Sequence, residues 1–351
     1  MKKIISKKRD SNLELYRIIV MFTIVMHHYV VNSGLLKVME NDPTSINSIF
    51  YYLFGMWGKT GINCFVLITG YYMCKSKITL QKIIKLIAEV VFYKLVIYTI
   101  FVLSNYSDFS IKGLLFCFLP ISSIDKGFVS CFIAFYLAIP FLNILVNNMT
   151  KRIHQMIIIY SLFIYTLLAM IPFIIVKMNY LTWFCVLYFI SSYIRIYDVP
   201  FKNNVVIWRR TSLLFVVVSM LSVLAIIYTG RVQTWGAYFF VSDSNALLAV
   251  IVSVSLFNWF RIIKLPYNKY INTIAANTFG VLLIHANSDL MRQWLWVDLL
   301  KNAKNYSSDF FALRAFVVIL IIFSICIIFD QIRIRLFERP FLLFIDKKVN
   351  Y

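Results

Sequence analysis

The chain has 351 residues, is 61% apolar and only 14% charged, and carries a formal net charge of +20. Soluble domains carry about 25% charged residues, so this composition excludes a soluble globular protein and implies a polytopic membrane protein. The six cysteines, Cys64, Cys74, Cys117, Cys131, Cys185 and Cys326, form no CxxC pair and mostly lie in apolar runs. That argues against a disulfide framework and against a metal site.

Apolar stretches long enough to span, about 20 residues each, fall at 13–32, 46–73, 80–104, 127–146, 153–175, 180–197, 211–229, 245–260, 271–290 and 312–337. They predict an all-α membrane protein of about ten transmembrane helices. Short connections place all of it in a single domain over residues 1–351, with basic tails at 1–12 and 338–351. The first run is too long for a signal peptide, and the HHYVVNSG that follows offers no small-residue cleavage site, so it is expected to remain as an anchor. The stretch SIKGLLFCFLP (110–120) is too short to cross and reads as interfacial or re-entrant.

Orientation follows from the distribution of Lys and Arg. With the N-terminus placed in the cytoplasm and residues near the span ends counted with the adjoining segments, 23 of the 35 Lys/Arg fall on cytoplasmic segments, nine on external loops, and three (Arg17, Lys59, Lys94) inside spans. Both termini are therefore expected in the cytoplasm. The excess charge marks a membrane face, and nucleic acid is not expected as a partner.

The first span reads RIIVMFTIVMHH from Arg17 to His28. An ionisable group within a span is costly and marks a functional site by default. Arg17 and His28 are eleven residues apart, which at about 100° per residue is three turns plus about 20°, so they share one helix face with Glu14, Met21 and Ile24. His27 is turned away by one step. The axial separation is about 16 Å, with Arg17 near the cytoplasmic surface and His28 beyond the midplane. A plainer reading has Arg17 snorkelling to the surface and pairing with Glu14. In that reading His27 and His28 are interfacial residues that only hydrogen-bond a neighbour, whereas the functional reading requires a hollow shared by Arg17 and His28.

Later spans add candidates. Lys59 and Asn63, four apart in the glycine-rich WGKTGINCF, share a face near mid-membrane. Gly55, Gly58, Gly61 and Gly70 permit close helix approach or a local break. Glu89 and Lys94 on the third span read as a structural ion pair. Lys82 and Lys85 open that span, and Arg195 closes the sixth on the same side. These three are ordinary positive-inside residues or a clamp for phosphates. His285 lies fourteen residues into the ninth span, at a depth similar to that of His28. Asp289, four residues on, would orient its ring unless it is simply a solvated carboxylate. Trp235, Trp294 and Trp296 in external stretches suit stacking on sugar or an interfacial belt.

SNLELYRIIVMFTIVMHHYVVNSGL, WGKTGINCFVLITGYYM, FYLAIPFLN and ANTFGVLLIHAN occur in the order, and over nearly the whole length, that resembles the integral-membrane acyltransferase family three. The likeness is greatest to members that O-acetylate bacterial surface polysaccharides. The resemblance implies about ten transmembrane helices in a bacterial cell membrane. It implies acyl-CoA as donor substrate, no bound cofactor, and a hydroxyl of a cell-surface polysaccharide or its lipid-linked precursor as acceptor. The family's essential histidine and arginine carry over to His28 and Arg17. The family's RxxR pair at the third span reads Lys82-Ile-Ile-Lys85 here, which keeps the charge without the bidentate geometry. In this scheme His28 is the base, and His285 orients the acceptor or stabilises the oxyanion. Lys59 or Asn63 donates to the oxyanion, while Arg17, Lys82, Lys85 and Arg195 meet the donor's phosphates. A rival reading is a transporter or flippase for a lipid-linked glycan, because intramembrane charges also line transport paths. No inverted repeat supports it.

Overall fold

The computed structural model describes residues 10–125, 127–171, 173–198 and 201–349. Most of the expected N-terminal tail, with Lys2, Lys3, Lys7, Lys8 and Arg9, lies outside the described residues. Every regular element among them is helical. In chain order they are α1 (Ser11–Val31), α2 (Leu35–Asn41), α3 (Ile46–Gly55), α4 (Gly58–Met73), α5 (Leu80–Leu103), α6 (Ile111–Cys117), α7 (Phe128–Asn148) and α8 (Lys151–Leu162). There follow α9 (Tyr180–Ile196), α10 (Val205–Tyr228), α11 (Val232–Trp235), α12 (Leu247–Ile262), α13 (Lys269–Ala276), α14 (Thr278–His285), α15 (Asp289–Arg292), α16 (Phe311–Arg333) and α17 (Arg339–Val349). Six helical stretches are long and apolar enough to cross a membrane unaided: Ser11–Val31, Leu80–Leu103, Phe128–Asn148, Lys151–Met170, Val205–Tyr228 and Phe311–Ile345. The chain is a multi-pass membrane protein.

Each of the ten apolar stretches is largely helical, and the differences from expectation have local causes. The second stretch is two helices, α3 and α4, interrupted between Gly55 and Gly58. The ninth breaks at Asn277, whose Nδ2 donates to the Thr273 carbonyl at 2.5 Å. Such a side chain competes with the helical ladder and favours a break. The expected C-terminal tail is instead helical through Val349, continuing from α16 without a gap through the π-helical turn Ile334–Glu338. The short helix α2 gave no signal at all. Side-chain caps start the long helices: Thr79 for α5, Thr150 for α8 and Asn204 for α10 each accept from a backbone N–H three residues on.

Side-chain ties define two ends of the bundle. At the end where α1 begins, Asn12 Nδ2 donates to the carbonyls of Phe260, Arg261 and Ile263 at 2.9, 3.1 and 3.0 Å. It thereby satisfies the bare C-terminus of α12. Ser11 Oγ donates to Asn272 Oδ1 at 3.0 Å and accepts from the Asn268 N–H, fastening the start of α13 beside it. At the opposite end, Asn302 Nδ2 donates to the Tyr29 carbonyl and Arg314 to the Tyr29 hydroxyl. The centre is α1 against α4. An added Cβ at Gly61 would stand 2.8 Å from Ile24, and one at Gly58 would stand 2.2 Å from the His27 ring, so these glycines permit the approach. Outer helices such as α10 expose Leu213, Leu214, Val217 and Leu221, as faces toward lipid require.

Candidate active site

The stripe on α1 faces inward. Glu14, Met21 and Ile24 are buried, and Arg17 and His28 are partly so. At its far end His28 Nδ1 meets His285 Nε2 at 2.9 Å. His285 closes α14, and its Nδ1 lies 2.6 Å from the Val281 carbonyl. A carbonyl can only accept, so that nitrogen carries the proton. With both rings neutral, His285 Nε2 is then the acceptor and His28 Nδ1 the donor. His28 Nε2 is left with a lone pair. One backbone carbonyl therefore fixes the tautomers of two imidazoles in series.

A cavity of about 70 Å³ lies beside this pair, lined by Ile24, His27, His28, Gly58, Lys59 and Phe128 among others. Lys59 Nζ donates to the Tyr180 hydroxyl at 2.5 Å and lies 5.3 Å from the centroid of that ring. A mid-membrane ammonium thus has a hydroxyl partner and remains at a cavity wall. His27, expected to turn away, also lines this cavity because Gly58 makes room for its ring. Its Nδ1 donates to the Gly55 carbonyl at 2.6 Å. Trp296 is fully buried, its ring edge-on to His285 at 6.3 Å and to Tyr29 at 5.9 Å. It is a wall behind the pair, unavailable for stacking on sugar. Trp294 packs against Phe101.

Other sequence candidates lie elsewhere. Asn63 is buried with its amide already engaged: Nδ2 donates to the Ser244 carbonyl at 2.6 Å and Oδ1 accepts from Trp183 Nε1 at 2.8 Å. One amide hydrogen and the amide oxygen are thus spent on structural contacts, and Asn63 is not among the residues that line the histidine cavity. Asp289 does not orient His285. α14 stops at His285, so the i,i+4 register is lost, and the Asp289 side chain is 97% exposed and paired with Arg292 at 2.7 Å. Glu89 and Lys94 are not a pair either. Five residues place them on different faces. Glu89 meets Arg333 at 3.0 Å while Lys94 Nζ donates to the Leu119 carbonyl. Trp235 is half exposed and packs on Phe239 at 5.5 Å, with Arg231 over its ring.

Arg17 and His28 share a face but not one hollow. The cavity beside His28 ends at Ile24, Met21 between them is fully buried, and Arg17 pairs with Glu14 at 3.5 Å. The basic residues near the start of α1 surround a different cavity of about 530 Å³, lined by Asp10, Asn12, Tyr71, Arg261 and Lys264 among others. Arg195 stands behind its wall, stacked 4.5 Å from the Tyr71 ring and donating to the Tyr71 hydroxyl at 2.7 Å. Burial, and then the Arg261 guanidinium, pull the Lys202 ammonium in the adjoining loop below its usual range. Lys82 and Lys85 are exposed. Lys82 donates to the Lys77 carbonyl, and Lys85 is bound to Glu338 at 2.6 Å.

Sequence reasoning missed Tyr180, Arg261 and Arg333. The first two sit where a span meets a loop and gave no periodic signal. Arg333 was counted only as a surface charge.

The arrangement supplies an unprotonated imidazole nitrogen and an ammonium group at one small cavity. Comparison with curated proteins returns no match, and comparison with solved structures returns none. A family model described as an acyltransferase domain matches residues 10–330, from the residue before α1 to Asp330 in α16. That match takes in both histidines, Lys59 and most of the chain, and the protein therefore belongs to acyltransferase family 3, an enzyme that transfers acyl groups.

Proposed function

We propose that this enzyme is an O-acyltransferase of the bacterial cell membrane. It moves an acetyl or similar acyl group from cytoplasmic acyl-CoA to a hydroxyl of a cell-surface polysaccharide or its lipid-linked precursor. The observation that carries the reading is the His28–His285 relay, which leaves His28 Nε2 as a base beside Lys59. In the step we envisage, the acceptor hydroxyl oxygen attacks the thioester carbonyl carbon and gives its proton to His28 Nε2. Lys59 stabilises the oxyanion. The C–S bond then breaks as the new C–O ester bond is completed, and the proton held by His28 passes to the departing thiolate. His285 accepts from His28 Nδ1 throughout and stabilises the transient imidazolium.

The donor's phosphates suit the end where α1 begins. There Arg261 and Lys264 line the larger cavity, Arg195 backs it, and Arg17 lies one turn along α1 from the lining residue Leu13. Guanidinium groups suit phosphate geometry. Lys82 and Lys85 lie further out and serve at most to attract the polyanion. Met21 and Ile24 separate this end from the histidines, so the acyl arm must displace them. Methionine is unbranched and flexible enough to yield. Acyl-CoA is a substrate here; the step needs no resident cofactor.

The test is mass spectrometry of surface glycan from cells carrying the wild type or His28→Ala. Acyl transfer predicts normal amounts of glycan lacking base-labile esters. Altered amounts of glycan with esters intact would instead establish the transporter reading.

A further inference from the structure

A second chamber lies at the end of the bundle opposite the Arg261 cavity. It measures about 770 Å³, within the range of about 300–1,000 Å³ usual for small-molecule sites. Its walls come from the segment before α7, the end of the α8 stretch, the segment before α9 and the loop before α12. The residues that matter are Asp125, Thr166, Lys177, Phe240, Asp243 and Asn245. Thr166 and Asn245 are buried, while Asp125, Lys177 and Asp243 are exposed.

Two observations point to a ligand. First, Thr166 is only 2% exposed, and its hydroxyl has no hydrogen-bond partner among the described residues although it lines the chamber. A buried unpaired hydroxyl is costly, and a hydroxylated ligand would satisfy it. It sits in a π-helical turn, Phe163–Leu167, a local form often found at functional sites. Second, the chamber adjoins the histidine cavity. Asp125 lines one and Phe128 the other, and three residues of chain span no more than about 11 Å. The Asp125 carbonyl accepts from the Tyr180 N–H at 3.0 Å, and the Tyr180 hydroxyl holds Lys59. Asn63, one turn along α4 from Lys59, ties down the chamber's 243–245 loop through the Ser244 carbonyl. The Lys59–Tyr180 pair therefore links the wall of the histidine cavity to the Asp125 segment that lines the chamber.

We infer that this chamber binds the acyl acceptor, and that it selects a neutral or amine-bearing polyhydroxyl ligand over a carboxylated one. The inference rests on the acyl-transfer reading and adds to it the acceptor's side of approach and charge. A threonine hydroxyl, an amide and an aromatic ring suit a polyol. Asp125 and Asp243 outnumber Lys177 among the described charged lining residues, so the chamber wall itself favours cations over anions, with Arg231 standing outside it over Trp235. Trp235, packed on the chamber residue Phe239, extends the aromatic surface at the mouth.

The test uses full-length Thr166→Cys in native membranes. The probes are two methanethiosulfonate reagents, trimethylammonioethyl and sulfonatoethyl, with rates normalised to those with a free thiol. Wild type provides the background, since five native cysteines are buried and Cys185 is partly so. The cationic reagent is expected to react at least about threefold faster with the introduced thiol. Methyl β-D-glucopyranoside should slow the reaction, while glucuronate at equal concentration should not. Modification should abolish transfer to glycan yet leave His28-dependent hydrolysis of acetyl-CoA intact, and Ala246→Trp should do the same without reagent. An unreactive introduced thiol, equal normalised rates, protection by glucuronate, or modification that spares transfer overturns the proposal. Joint loss of transfer and hydrolysis overturns it as well, because the chamber would then not be separate. If the unmodified wild type shows no His28-dependent cleavage of acetyl-CoA at all, the acyl-transfer reading fails, while charge selection and sugar protection in Thr166→Cys are read independently.

Discussion

Two buried groups of ionisable side chains occupy this bundle, and they have been solved in opposite ways. Around Arg333 every nitrogen of the guanidinium has a carboxylate. Nε meets Asp330 at 2.7 Å, Nη1 meets Glu338 at 2.8 Å and Nη2 meets Glu89 at 3.0 Å. Lys85 and Tyr93 complete the cluster through Glu338 and Asp330. Around His28 the hydrogen bonds run in one direction and end on a free lone pair at a cavity. The first group ties α5, α16 and the helical turn after it together; the second keeps a valence in reserve. An intramembrane charge is thus not in itself a sign of catalysis. The sign is an unused donor or acceptor that faces space.

The largest effects should separate the two groups cleanly. His28→Ala should lower acyl transfer by about 10³-fold or more, since a general base contributes about 10²–10⁴-fold and the variant also opens the cavity. Yield and thermal stability in detergent should stay near wild type. Arg333→Met should behave in the reverse manner. Removing one partner of a buried ion cluster costs about 3–5 kcal/mol, so folded yield should collapse while activity per folded molecule holds. A stable, inactive Arg333→Met would dissolve the distinction.

Next in size is the relay. His285→Gln keeps an acceptor for His28 Nδ1, whereas His285→Phe removes it. We expect about 10²-fold loss of acyl transfer for Phe and a substantial rescue by Gln, in line with a positioned hydrogen-bond partner to a charged intermediate. A greater loss for Gln than for Phe would mean that the ring shape of His285, packed on Trp296, matters rather than its nitrogen. Gly280→Ala reports on the same helix from its other face. An added Cβ would stand 2.3 Å from the Asp330 carboxylate carbon, so α14 must shift away from α16. Both stability and activity should fall, because α14 carries His285 and also packs on the ion cluster.

Much of this was legible in the sequence, for reasons tied to periodicity. Eleven residues return a helix to nearly the same face, so Arg17 and His28 were readable as one stripe. Depth counting from span starts placed His285 level with His28, and the two rings do meet. What failed was the assignment of partners from spacing along one span. Asp289 was projected along a helix that stops at His285. Asn63 was projected from the Lys59 face, although its amide is committed to Ser244 and Trp183 on other elements. Long-range partners such as Tyr180 for Lys59, or Arg333 for Glu89, have no sequence signature at all. The continuous hollow from Arg17 to His28 was a matter of packing, and packing is decided by Met21 and Ile24 rather than by the spacing of polar residues.

The smallest effect is the most discriminating. His27 and His28 are adjacent, both line the cavity, and each donates from Nδ1. They differ in what receives that proton. His27 is anchored to the Gly55 carbonyl at the break between α3 and α4, a contact that pins the start of α4 and therefore the position of Lys59. His28 is anchored to a second imidazole. His27→Ala should therefore lower transfer by less than about tenfold, chiefly through a loosened Lys59, because one lost neutral hydrogen bond is worth about 1 kcal/mol. His27→Asn, whose amide can still donate to Gly55, should recover most of that loss. If His27→Ala instead matches His28→Ala in acyl transfer measured on the same membranes, the base is shared or belongs to His27. The free valence that distinguishes this region from the Arg333 cluster would then have to be assigned to the other ring.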